Sequence, residues 1–259
     1  GHIKAGASDI KGLEALQKAD LMVIFARFLD LPDNQMKHIA DYVERGGPVV
    51  GLRTSSHAFK IPKGKTYSRF DFKYSGDDFK NGFGHQVLGN TWVGHYGRNH
   101  KQATRIQLIT SQKENPILKG VENNALCMAG AYVGIPDETF TVLTESQPLN
   151  GMTKGSPADP NKKPSPSTWT RHYSTKDGKK ARVFHSTQGA SQDLLDSNYR
   201  RLIINGIFWA AGLEKEIKAD AKIDFVGAYT PTRFGFGGEV KNVKPTDLAD
   251  INSPIMPKK

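Results

Sequence analysis

The segment spanning residues 19–54 constrains the fold more than any other part of the chain. "ADLMVIF" (19–25) is a short apolar run of strand length. In "LPDNQMKHIADYVERGG", Met36, Ile39, Ala40 and Val43 fall at i, i+3, i+4 and i+7, one face of a helix. Pro32 and Asp33 suit its start and the Gly46-Gly47 pair its end. "PVVGLRT" then returns as a second buried strand. Strand, helix and strand within about 35 residues form a βαβ unit, whose crossover makes the two strands parallel.

The rest of the chain extends that unit. Residues 60–82 read as a long polar and aromatic loop, and 84–100 as a short helix followed by a turn. Strands are expected at 103–110, 138–146, 168–173 and 179–188, the last two forming a hairpin that turns at "KDGK". Residues 150–168, rich in Pro and Lys, read as an exposed loop. "SNYRRLIINGIFWAAG" (197–212) is apolar almost all round, so it should pack buried on a sheet, with Ser197 or Asn198 as its cap, Gly212 as its stop and Trp209 in the core. No internal repeat is present. The expected fold is α/β, a three-layer sandwich with a mostly parallel sheet. One domain covers 1–214, and a long irregular, Gly/Pro-rich tail covers 215–259.

Open α/β sheets bind ligands at the carboxyl ends of their strands. Three stretches follow strand ends: Arg27 and Phe28 after "LMVIF"; Arg53, Thr54, Ser55 and His57 after "PVVGL"; and His185, Ser186 and Gln188 after "ARVF". His95 and His100 bracket "YGRN", a glycine-containing turn that could carry two imidazoles over the same rim. Candidate acid/base groups are therefore His57, His95, His100 and His185. Arg27, Phe28, Arg53, Thr54, Arg98 and Gln188 are candidates for contacting a ligand. Arginine forks suit carboxylates, phosphates and vicinal oxygens. Arg171 is a weaker candidate of the same kind, and Trp92 and Phe28 fit core packing at least as well as sugar stacking.

His57, His95 and His100 could together hold zinc or another divalent ion, although their spacing is not a standard zinc signature. A hydroxyl nucleophile at Thr54, Ser55 or Ser56 lacks the G-x-S-x-G elbow, and helix capping by Ser55 or Ser56 accounts better for those serines. No glycine-rich phosphate loop follows a strand; "RFGFGG" lies in the tail with no helix after it, so no nucleotide cofactor is expected.

Composition narrows the partners. The net charge is +10, yet the basic residues are scattered beside Gly and Pro, without a basic helix carrying interleaved aromatics, so nucleic acid is not an expected partner. No run reaches the ~18–20 apolar residues of a membrane span. The single cysteine, Cys127, excludes an intrachain disulfide and a thiolate zinc cage, and reads as a buried structural thiol. It fits the cytosol without excluding export. A homo-oligomer is compatible with all of this.

"ADLMVIFARFLDLPDNQMKHIADYVERGGPVVGLRTSSHAF", "TWTR", "RVFHSTQGASQD" and "RRLIINGIFWAAGLE" together resemble the ThuA-like, or trehalose-utilisation, family. The variant is similar to one abundant in planctomycete-type bacteria, including a tail like "VGAYTPTRFGFG", and the resemblance covers about residues 10–240. It implies a class I glutamine-amidotransferase-like, flavodoxin-like fold and a link to disaccharide or keto-sugar metabolism, with a small sugar as ligand. Members normally begin with a strand and helix ahead of the segment matching residues 10–20, so the chain is expected to lack that unit. Relatives of the variant often carry export signals, which leaves an exported and a cytoplasmic location both open. Many also carry Gly-His where this chain has Gly189-Ala190.

Amidotransferases place a nucleophilic cysteine at a sharp turn after a strand and a His-x-Glu on a later strand. Here the corresponding positions hold Arg53, His185 and Thr187. A guanidinium stays protonated and cannot attack, so glutaminase chemistry is excluded. What remains is a sugar-processing enzyme or accessory working through histidine acid/base chemistry on a carbonyl-bearing sugar. The alternatives are a carbohydrate-binding or scaffolding module without catalysis, and a histidine-ligated metal hydrolase.

Overall fold

A computed structural model describes residues 8–227 and 229–231. The predicted βαβ unit is present. β1 (Met22–Ile24) leads into α1 (Asp33–Glu44), and β2 (Val49–Leu52) pairs parallel to β1. Met36, Ile39, Ala40 and Val43 are all buried, as their spacing requires.

The remaining strands are β3 (His95–Tyr96), β4 (Thr104–Leu108), β5 (Leu126–Cys127), β6 (Ala131–Tyr132), β7 (Thr141–Pro148), β8 (Ser165–Ser174) and β9 (Lys180–Ser186). α2 (Ser197–Ala210) closes the domain. The main sheet runs β1-β2-β9-β8-β7-β4-β5, and β3 pairs with β6 in a separate small ribbon.

The α/β class is as expected, and the sheet is mixed. β1, β2 and β9 form the parallel half predicted for a flavodoxin-like sandwich. β9-β8, β8-β7, β7-β4 and β4-β5 pair antiparallel. Parallel neighbours need a long crossover, usually a helix, and no α-helix lies between β4 and β9 to supply one.

Along β2, Val49 packs into the cluster under α1, with Met36, Ile39 and Tyr42, while Val50 and Leu52 pack into the cluster under α2, with Tyr199, Leu202 and Ile203. The parallel half is therefore covered on both faces, which explains why its strands read as unbroken apolar runs. The aromatic loop after β2 adds Phe59, Phe70 and Phe83 to the α1 side.

Several local readings change. α2 is capped by Asp196, whose carboxylate accepts from the backbone N–H groups of Asn198 and Tyr199, rather than by Ser197 or Asn198. Trp209 is only half-buried, with Arg182 stacked on its ring. The 150–168 loop is shorter than expected, since β8 begins at Ser165, and it is held down: the Gln147 side chain donates to the carbonyls of Pro148 and Lys162, and Gln102 donates to Asp159. Ser55 and Ser56 do not cap a helix; the chain after β2 forms a 3₁₀ turn, Arg53–His57, without a side-chain cap. The tail described up to residue 231 is irregular after α2 and folds back on it, and "RFGFGG" lies outside the described residues. No helix among the described residues is long and apolar enough to cross a membrane.

One glycine fixes how the 3₁₀ turn is backed. A Cβ on Gly84 would sit 2.1 Å from the Ser56 carbonyl oxygen and 2.6 Å from that of Asn90. Both neighbours are backbone and cannot swing aside. Gly84→Ala is expected to destabilise the chain by roughly 1–3 kcal/mol. A thermal melt checks this, and an unchanged Tm would show that the turn is not pinned from behind.

Candidate functional site

The carboxyl ends of β1 and β2 open into a cleft of about 610 Å³. The segment after β1 contributes Phe25, Arg27 and Phe28, and the turn after β2 contributes Arg53, Thr54 and His57. The β3 region brings Trp92, His95, Asn99 and His100 across it. Met128, Ala129 and Tyr132 form the opposite wall, and residues 190–192 the remaining lip.

Backbone strain concentrates here. Among the described residues, the non-glycine residues with positive φ are Phe28 (54°), Arg53 (41°), His100 (61°), Asn81 and Asn124. Asparagine tolerates that region; a bulky or charged side chain there is uncommon and must be held by its surroundings. Phe28, Arg53 and His100 all line the cleft. Arg53 occupies the sharp turn that follows β2.

Arg53 is buried, and its fork donates to the carbonyls of Gly130 and Ala129, each at 2.8 Å. Its guanidinium carbon lies 4.5 Å from the centre of the Tyr132 ring. The same loop is gripped from its other side by Asp193, which is fully buried and accepts from the N–H groups of Ala129, Gly189 and Ala190. Burial pushes the Asp193 carboxyl up, and those bonds together with the Arg53 charge oppose the rise. Arg53 therefore builds the wall with the part of its fork that sequence reasoning assigned to a ligand.

His57 is 2 % exposed and sits among Phe28, Trp92 and Tyr132, with ring centres 5.0–5.4 Å away. Its Nδ1 is 3.2 Å from Ser56 Oγ, which in turn donates to the Arg53 carbonyl. A serine proton directed at the Arg53 carbonyl is compatible with the tautomer that carries the hydrogen on Nδ1 and the lone pair on Nε2. Burial, then the charges of Arg27 and Arg53, push the His57 pKa down to about 3. His95 packs edge-on to Tyr132 at 5.1 Å, and its pKa is lowered by burial and then by Arg53.

Arg27, Phe28, Arg53, Thr54, His57, His95 and His100 thus share one cleft, and several other predicted residues do not join them. His185 lies within β9, opposite Gly51, fully buried, with Nδ1 bonded to the Gly51 carbonyl at 2.9 Å. β9 continues through Ser186, so His185 is inside the sheet rather than beyond its tip. Gln188 is likewise buried, donating to Thr104 Oγ1. Arg98 is exposed at the turn before β4 and outside the lining. Arg171 is also outside it, bonded to the carbonyls of His85 and Gln86. Among the described residues no group of three or more His, Cys, Asp or Glu side chains is arranged to hold a metal ion, so His57, His95 and His100 share the cleft without forming a ligand set.

Sequence reasoning did not find Tyr132, Met128, Ala129 or Gln192. They lie on two-residue strands and loops with no periodicity. It assigned Trp92 to the core, yet Trp92 lines the cleft, with its indole N–H buried and unpartnered. Cys127 is buried as expected, and burial pushes its thiol pKa well up.

The family described as ThuA, trehalose utilisation, matches residues 3–210. The chain belongs to the ThuA family. Membership supports a carbohydrate-related role in general terms. Two solved structures are similar to it. A ThuA-like protein from Bacteroides uniformis shares 15% identity at a TM-score of 0.48, covering 80% of this chain and 75% of its own. A ThuA-like protein from Parabacteroides merdae shares 18% at 0.43, covering 80% and 74%. No curated protein matches the chain significantly.

Proposed function

We propose that this ThuA-family chain processes a carbonyl-bearing sugar, with His57 exchanging a proton next to the carbonyl. The observation that carries the reading is the convergence of three strained residues, Phe28, Arg53 and His100, on the cleft that also holds His57, His95 and Arg27. Strain of this kind persists where function requires it. In this reading His57 Nε2 takes the proton, and His95 faces the oxygen on which negative charge develops. Phe25, which is 54 % exposed, and Trp92 offer faces for the apolar side of a sugar ring.

Glycoside hydrolysis by a carboxylate pair is not part of the reading. That chemistry needs two carboxyl groups flanking the bond, and no Asp or Glu is among the residues lining the cleft.

The test is incubation with 3-keto disaccharides in deuterated water, followed by NMR. Deuterium should enter the position beside the carbonyl, and His57→Gln should slow this by roughly 10²-fold or more. Absence of turnover and exchange, with no thermal shift from any sugar, would remove the proposal. A second reading has one observation in its favour: an imidazole held near pKa 3 is a weak base in the empty cleft. A non-catalytic carbohydrate-binding module would show sugar binding that weakens in His57→Gln, with no exchange in the parent.

A further inference from the structure

The cleft's charge balance narrows the ligand beyond a sugar. Arg27 and Arg53 line it, with His57, His95 and His100, and among the described residues no carboxylate does. The charge of Arg53 faces the buried Asp193, and its fork is used by backbone carbonyls. Arg27 is different. It is exposed at the mouth and, among the described residues, takes part in no ion pair. Its guanidinium carbon sits 4.8 Å from the centre of the Phe28 ring, and the Lys60 ammonium is 5.8 Å from the same ring. Asp30, the carboxylate nearest in sequence, is bonded to Lys65 at 2.6 Å. Two cations thus flank one strained aromatic at the entrance, with no acid paired to them among the described residues.

Neutral sugars present as many donors as acceptors, and sites for them commonly supply carboxylate acceptors. This lining offers guanidinium and amide donors and, among the described residues, no carboxylate acceptor. It suits a ligand that is itself rich in acceptors. The positive field is also felt inside: after burial, the charges of Arg27 and Arg53 lower the pKa of both His57 and His95.

We propose that the ligand of this cleft is a sugar acid, whose carboxylate seats on the Arg27 fork at the mouth while the sugar reaches inward to His57. A monoanionic carboxylate fits one free arginine in bidentate geometry. A phosphate dianion is ordinarily met by several convergent cations or a glycine-rich cradle; of the two cations beside Phe28 only Arg27 lines the cleft, and the lining among the described residues holds no glycine. The proposal rests on the carbohydrate reading above and narrows it.

The experiment is calorimetric titration of the full chain at low ionic strength with matched pairs: lactobionate against lactose, and gluconate against glucose. The acid of each pair should bind roughly tenfold tighter or better, and added salt should shrink the difference. Arg27→Gln should bring the acid-to-neutral ratio towards one. Lys60→Gln removes an equal charge just outside the lining and should leave most of the preference. Equal binding of acid and neutral sugar overturns the inference and leaves the carbohydrate reading standing. Binding of neither removes both. A preference that survives Arg27→Gln, or falls as far in Lys60→Gln, overturns the seat on Arg27. Glucose 6-phosphate binding more tightly than gluconate overturns the carboxylate in favour of a phosphate.

Discussion

Replacing Arg53 with alanine is expected to cost the fold roughly 3–5 kcal/mol, the range for breaking a buried charge interaction by removing one partner. The loss has three sources. The carbonyls of Ala129 and Gly130 lose charge-assisted donors at 2.8 Å. Asp193, wholly buried, loses the cation that favours its ionised form. The Tyr132 ring loses the guanidinium above it. Backbone strain makes the choice of replacement informative. Arg53 has φ of 41°, so alanine keeps the conformational penalty and loses the contacts. Glycine loses the same contacts but relaxes the backbone, and Arg53→Gly should be less damaging than Arg53→Ala by about 1 kcal/mol. Urea unfolding with an unchanged slope measures both. A loss below about 1 kcal/mol for alanine would mean that Arg53 is free to serve a ligand, contrary to the wall-building role given to it here.

That role explains what the sequence could and could not disclose. The βαβ unit was legible because burial on both faces leaves an apolar run and a helix leaves a 3.6-residue period. The position of Arg53 at the end of such a run was enough to place it at the rim. Its partners were not legible, because they are backbone carbonyls in "CMAGAY", and a carbonyl carries no sequence signature. The hairpin of β8 and β9 was legible from its turn and pairs antiparallel as read, but the parallel pattern was carried too far over the strands before it. The signal against it was present: no helix-length pattern separates the strands at 104–108, 141–148 and 165–174, and without a crossover they must run antiparallel. His185 shows a second limit. Alternation along β9 sends Phe184 into the cluster under α2 and His185 to the other face, against Trp169 at 4.9 Å. Knowing which face a residue takes did not settle whether the strand had already ended, and two residues separated a rim histidine from a buried one.

The two buried histidines should make stability fall steeply with acid. Burial pushes His57 and His185 each down to about 3 from an ordinary 6.5. Both are neutral in the folded chain at neutral pH, while the unfolded chain takes up protons as pH drops through 6.5. Unfolding then binds protons, so stability rises with pH between about 3 and 6.5 and is level above. Each histidine should remove roughly 2 kcal/mol by about pH 5, some 4 kcal/mol together. Carboxylates do not account for this window. Glu214, held down to about 2 by Arg182, starts to withdraw its contribution only as pH falls through its unfolded value of 4.5. Asp193, raised by burial, acts with the opposite sign wherever it titrates. His95 and His85 are lowered as well and add to the slope. Urea midpoints collected between about pH 7 and pH 5 give the slope directly. His185→Asn, which can keep a donor for the Gly51 carbonyl, and His57→Gln should each flatten it, and the double variant should flatten it most. Stability that stays level across that interval in the parent chain would mean that one or both imidazoles reach water in the folded state, and that the pocket around His57 is wetter than its aromatic walls imply.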